Sequence, residues 1–161
     1  LHLSGNQLTG AIPSSLVNLV NLQAGYLDIR WNALHTTDPV LIAFLDARQY
    51  LGDWQSTQTL APTGLVPSSP TSSSVDLSWA PITYTWDTGG YEARYATSPG
   101  GPYTNFVPTT GDKSVVSMTV DGLSPNTTYH FVVRTFTNPH AANTGTVVSQ
   151  DSLEVTLATL P

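Results

Sequence analysis

From residue 75 onward, apolar and polar residues alternate in short runs. Val75, Leu77 and Trp79 are interleaved with Asp76 and Ser78; Tyr91, Ala93 and Tyr95 with Glu92 and Arg94; Val116, Met118 and Val120 with Ser117 and Thr119. Successive side chains of a strand point to opposite faces, so each run reads as a strand with one face buried. Tyr129, Phe131 and Val133 continue the pattern, and Val147 with Leu153, Val155 and Leu157 supplies a last strand or its two halves. The stretches "DTGG", "SPGGP", "TTGDK" and "DGLSPNTT" place turn-forming residues between the runs, which makes the region all-β and antiparallel. About seven short strands in about 100 residues fold as a sandwich.

Two stretches within this region carry a specific resemblance. "VDLSWAP" resembles the second strand of a fibronectin type III domain, with Trp79 as its core tryptophan. "VDGLSPNTTYHFVVRTFT" resembles the corner between the E and F strands of that family. The resemblance implies that Leu123 plugs the core and that Tyr129 folds its hydroxyl back onto the loop backbone. It covers residues 61–158, and "DTGGYEARYATSPGGPYT" further resembles the versions found in secreted bacterial multidomain proteins.

The first 60 residues follow another pattern. At an offset of 26 residues, "LHLSGNQL" lies over "LDIRWNAL": Leu1 falls on Leu27, Leu3 on Ile29, Asn6 on Asn32 and Leu8 on Leu34, and further on Pro13 meets Pro39 and Leu19 meets Leu45. "LSGNQLTGAIPSSLVNLVNL" resembles the leucine-rich repeat consensus in which Thr-Gly and Ile-Pro follow the asparagine; the second copy is looser, with "HTTD" in place of that segment. Asp38 before Pro39 is a helix start, Val40, Leu41, Phe44 and Leu45 form an apolar band at helical spacing, and Gly52 can stop the helix. The expectation is a helix from Pro39 to Tyr50 that, with Trp54, caps the end of a solenoid. Leu1 and Leu3 would then face further upstream repeats or another chain. The fold class expected is therefore an α/β leucine-rich repeat solenoid end with a helical cap over residues 1–60, then an all-β fibronectin type III sandwich over 61–161. The Pro- and Ser-rich "TQTLAPTGLVPSSPTSSS" marks the change between them.

Charge and composition exclude several functions. Five basic residues against eleven acidic ones, a net charge of −6, lack the electrostatic footprint of a nucleic-acid binder or of a protein held on anionic lipid. The chain has no cysteine, which removes disulfides and thiolate metal sites, and no apolar run approaches the roughly 18 residues of a membrane span. His2, His35, His130 and His140 have no zinc-site spacing, and the acidic residues do not have the spacing of a calcium loop. No cofactor or metal is expected. No serine lies in a nucleophile motif, Asp87 and Glu92 read as a turn residue and an outward strand residue, and Asp112 reads as a turn residue. "NTT" at Asn126 fits a glycosylation sequon but also serves the corner turn, and Arg-Gly-Asp is absent. The expectation is a protein that is not an enzyme.

Binding is better motivated. In the solenoid reading, His2, Ser4 and Gly5 lie beside Asp28, Arg30 and Trp31 on a concave face. Arg30 and Trp31 are residue types enriched at interface hot spots. The alternative for Trp31 is packing at the domain junction. In "PITYTWDTGGY", Tyr84 and Trp86 fall in or near the loop between the second and third strands, either as binding residues or as packing over the open end of the sandwich. The expected function is adhesion, or protein or glycan recognition, by an extracellular or cell-surface module of a bacterial protein. Two alternatives stand beside it: a self-associating subunit of a surface layer or filament, and the accessory region of a secreted glycan-degrading enzyme.

Overall fold

The computed structural model describes residues 1–161. In the N-terminal segment, strands β1 (Thr9–Ala11) and β2 (Ala33–His35) pair in parallel, with Thr9 opposite Ala33 and Ala11 opposite His35, and α1 (Pro39–Arg48) follows. Eight strands make up the rest: β3 (Thr63–Ser68), β4 (Val75–Ala80), β5 (Gly89–Ala96), β6 (Thr104–Asn105), β7 (Ser117–Val120), β8 (Thr128–Thr137), β9 (Val147–Val148) and β10 (Val155–Ala158). They form two antiparallel sheets, one in the order β3-β4-β7 and the other β10-β8-β5-β6, with β9 also on β8.

The alternation of the sequence becomes the inner faces of these sheets. Val75, Leu77 and Trp79 of β4, Tyr91 and Ala93 of β5, and Tyr129, Phe131 and Val133 of β8 meet Leu65, Val120 and Leu123 in one buried cluster. Each large aliphatic or phenylalanine side chain among them contributes about 1.5–3 kcal/mol when withdrawn from water. The Trp79 and Tyr91 rings pack with centroids 5.2 Å apart. At the corner before β8, the Tyr129 hydroxyl accepts the Ser124 N–H at 2.9 Å, so the loop closes onto the strand it precedes.

Three elements differ from expectation. Residues 63–68, part of the Pro- and Ser-rich stretch, form β3 with Leu65 inward; Pro67 is tolerated because β3 is an edge strand, where one row of N–H groups needs no ladder partner. Val116 lies just before β7 and is exposed. Between β9 and β10 the ladder to β8 is completed by side chains: Ser149 Oγ accepts the Thr135 N–H at 2.9 Å and Ser152 Oγ the Val133 N–H at 3.0 Å.

The expected solenoid with a helical cap is corrected by the structure. The N-terminal segment makes one parallel pairing of two three-residue strands, flanked by single bridges between His2 and Asp28 and between Leu27 and Gln49. A solenoid requires coil stacked on coil, and one short pairing does not constitute a stack. The helix does not sit as a lid: its Leu41 and Leu45 enter the same six-residue cluster as Ile12, Leu27, Ile29 and Trp54. It also ends at Arg48, two residues before the expected Tyr50, because Gln49 turns to an extended conformation and its side-chain amide donates to Asp28 at 3.1 Å.

Candidate functional site

With no solenoid there is no concave face for His2, Asp28, Arg30 and Trp31 to line. Asp28 and Arg30 are two residues apart on an extended stretch, so their side chains share a face and meet. Arg30 Nε donates to Asp28 Oδ1 at 2.9 Å and Nη2 to Oδ2 at 2.8 Å, a bidentate pair, while Nη1 donates to the Leu51 carbonyl at 3.0 Å. The guanidinium also stands 4.5 Å from the centre of the Trp31 ring and 5.8 Å from that of Tyr50. Burial alone would raise the Asp28 carboxyl. The hydrogen bonds from the Arg30 side chain, the Arg30 backbone and Gln49 outweigh it and hold the group at about 2. This pair satisfies itself. His2 is exposed, with its ring edge-on to Tyr50 at 6.4 Å.

Trp31 lies at the joint between the two clusters. It adopts φ 53, a left-handed conformation that L-residues take at a cost of about 1–2 kcal/mol. Its indole packs against the sandwich core. Across the same joint, buried Asn143 in the loop between β8 and β9 donates one amide proton to the Asn6 carbonyl at 2.7 Å and the other to the Trp31 carbonyl at 2.9 Å. Beside it, a Cβ on Gly5 would fall 2.4 Å from the Ala142 carbonyl oxygen, so only glycine admits this approach. The Thr59 and Thr137 hydroxyls close the joint at 2.6 Å, buried.

The loop end of the sandwich holds a third arrangement. Tyr84, only 1% exposed, donates its hydroxyl proton to Asp87. That hydroxyl oxygen therefore accepts from His140 Nε2 at 3.3 Å, and His140 Nδ1 is left to accept the Ala142 N–H, also at 3.3 Å. Beneath the Tyr84 ring lies Lys113, fully buried, with Nζ 4.0 Å from the ring centre and donating to the Tyr84 carbonyl at 3.2 Å. Burial pushes its ammonium down to about 8, although the Asp87 charge works to raise it. Burial and the Asp87 carboxylate together push the Tyr84 phenol far above its usual range. Above this network stands Trp86, edge-on to Tyr84 at 5.7 Å and 67% exposed.

The structure thus separates the two residues read as loop candidates, burying Tyr84 and presenting Trp86. Glu92 accepts from Arg134 Nε at 2.6 Å, away from Asp87. Lys113 and His140 have no motif in the sequence. The available signal was topological, since the β4–β5 and β8–β9 loops of an antiparallel sandwich emerge at one end. A cleft of about 530 Å³ opens elsewhere, between residues 59–65 and 149–155, with Ala33 and His35 at its border. No group of three or more His, Asp or Glu side chains is placed to hold a metal ion. No helix is long and apolar enough to cross a membrane.

The family model for the fibronectin type III domain matches residues 60–150. Among solved structures, the chain is similar to a Fn3-like protein from Clostridium thermocellum, at 24% identity and a TM-score of 0.47 over 63% of this chain and 93% of that one. It is also similar to the fibronectin type III domain of human collagen XX, at 27% identity and a TM-score of 0.43 over 62% of this chain and 90% of that one. No curated protein matches the sequence.

Proposed function

The chain belongs to the fibronectin type III family, and from that premise we propose that it is a non-catalytic, extracellular recognition module that presents the loop end of its sandwich to a partner. Domains of this family mediate protein interactions and are typical of extracellular proteins. The observation that carries the reading is Trp86: a large apolar ring held outward on a buried network, where solvation gives no reason for it to be. Leaving so large a ring in water forgoes on the order of 2 kcal/mol that burial would supply. Asp28, Arg30, Trp31 and Tyr84 are instead committed to contacts within the chain. The bacterial surface setting rests on the motif resemblance of residues 87–104, and the partner is a protein or a glycan.

The test is retention of labelled protein on an array printed with extracellular proteins and polysaccharides. The wild-type chain is expected to be retained on at least one spot and Trp86→Ala on none, with equal thermal stability. Equal retention of both, or no retention of either, removes the recognition reading.

A further inference from the structure

We propose that the ligand of the Trp86 end is a carbohydrate, one neutral hexopyranose ring stacking on the indole while a ring hydroxyl donates to Asp87. The proposal rests on the recognition reading above and names its ligand class. A hexopyranose has a flat face of C–H groups and a rim of hydroxyls. The face, slightly positive, matches the negative face of an indole, and the rim needs hydrogen-bond acceptors at its edge. Both are present. Trp86 offers the face. Asp87 Oδ2 is taken by Tyr84, with His140 Nδ1 at 3.6 Å, but Oδ1 has no protein partner and is not among the buried orphan atoms, so it reaches solvent as a free acceptor. The carboxylate is held from behind by the Tyr84 hydroxyl, which His140 Nε2 holds in turn.

Two other ligand classes fit less well. A cation would suit an aromatic face beside a carboxylate, but Lys113 already lies beneath as the compensating charge of Asp87. A proline-rich peptide docks into a groove between several exposed aromatic rings, and here Tyr84 is buried, which leaves a single ring. One exposed ring with a held acceptor on the next residue suits one sugar unit.

The test is titration calorimetry with cellohexaose, laminarihexaose, mannohexaose and N-acetylchitohexaose, followed in parallel by tryptophan fluorescence. Saturable binding of at least one at or below about 5 mM is expected, with a dissociation constant raised about tenfold or more by Trp86→Ala and less by Trp86→Phe. Because Trp86 is exposed, its replacement leaves the fold intact, which circular dichroism verifies. Absence of binding to all four sugars, or binding unchanged in Trp86→Ala, overturns the proposal. A decaproline peptide is the third arm: if it binds through Trp86 while the sugars do not, the carbohydrate assignment falls and recognition by this end stands. An array without any Trp86-dependent spot removes the recognition reading itself.

Discussion

Asp28 holds its charge far into acid because four hydrogen bonds reach it, from the Arg30 backbone, from Arg30 Nε and Nη2, and from Gln49. Its carboxyl is lowered from 3.8 to about 2 in the folded chain. A lowered carboxyl contributes stability that is fully present above the unfolded value and is lost as pH falls through the folded one. The loss is therefore expected between about pH 4 and pH 2 and amounts to at most about 2 kcal/mol. Urea unfolding of the wild type across that range should show it, and Asp28→Asn should flatten it while lowering stability at pH 7. Lys113 has the opposite sense. Its ammonium is depressed from 10.5 to about 8 by burial, so above pH 8 the folded chain releases a proton that the unfolded chain still holds. Stability is expected to rise by about 1 kcal/mol from pH 8 to pH 9, a unit below the point where unfolded tyrosines half-ionise. Lys113→Met should remove that slope, and unfolding curves at pH 8 and 9 decide it. The sequence singled out Asp28 and Arg30 by position and type but could not show that they neutralise each other. It offered no reason to notice Lys113, whose burial is a property of the packed loops above it.

Among the elements, the β-strands were legible because a period of two, broken by turn residues, survives in the residue order itself. β3 was not, since a proline and the serines around it mask its single inward leucine, and only its place at the end of the sheet, paired with β4 alone, identifies the edge. The two ladder serines were equally hidden, because a side chain standing in for a backbone partner leaves no periodic trace. The Tyr129 corner could be read directly. Tyr129→Phe keeps the ring in the core and leaves the Ser124 N–H without its acceptor, so a loss of about 1–2 kcal/mol is expected in equilibrium unfolding, with the same slope against denaturant. The N-terminal segment shows the reverse case. Its leucine and asparagine spacing suggested a repeating coil, whereas the chain forms one parallel pairing and a six-residue cluster that shares the helix.

At the scale of the molecule, the two apolar clusters are joined by a tight contact and not by a slack linker. Asn143 spans the joint with both amide protons, Trp31 packs across it, and Gly5 lets the backbones touch. A single calorimetric transition is expected for the wild type. Asn143→Ala removes both donors and should cost about 2–4 kcal/mol, splitting the transition so that the N-terminal cluster melts first. Gly5→Ala should do the same through steric conflict at φ 64 and an impossible 2.4 Å contact. An unsplit transition with unchanged midpoint in both variants would show that the joint transmits no stability. The β8–β9 loop that grips the N-terminal segment also carries His140, so the joint and the Trp86 end share one loop.

The sequence by itself determined the sandwich, its core tryptophan and the corner tyrosine, because strand alternation and turn chemistry are local and repeat along the chain. Tertiary structure alone decided which aromatic of the β4–β5 loop is buried and which is presented, and that Lys113, Asp87 and His140 gather beneath it. Those facts depend on loops separated by up to 56 residues in sequence meeting at one end of the sandwich. No local pattern encodes such a meeting. The same holds for Trp31, whose place at the joint follows from the sandwich it leans on and not from its neighbours in the chain.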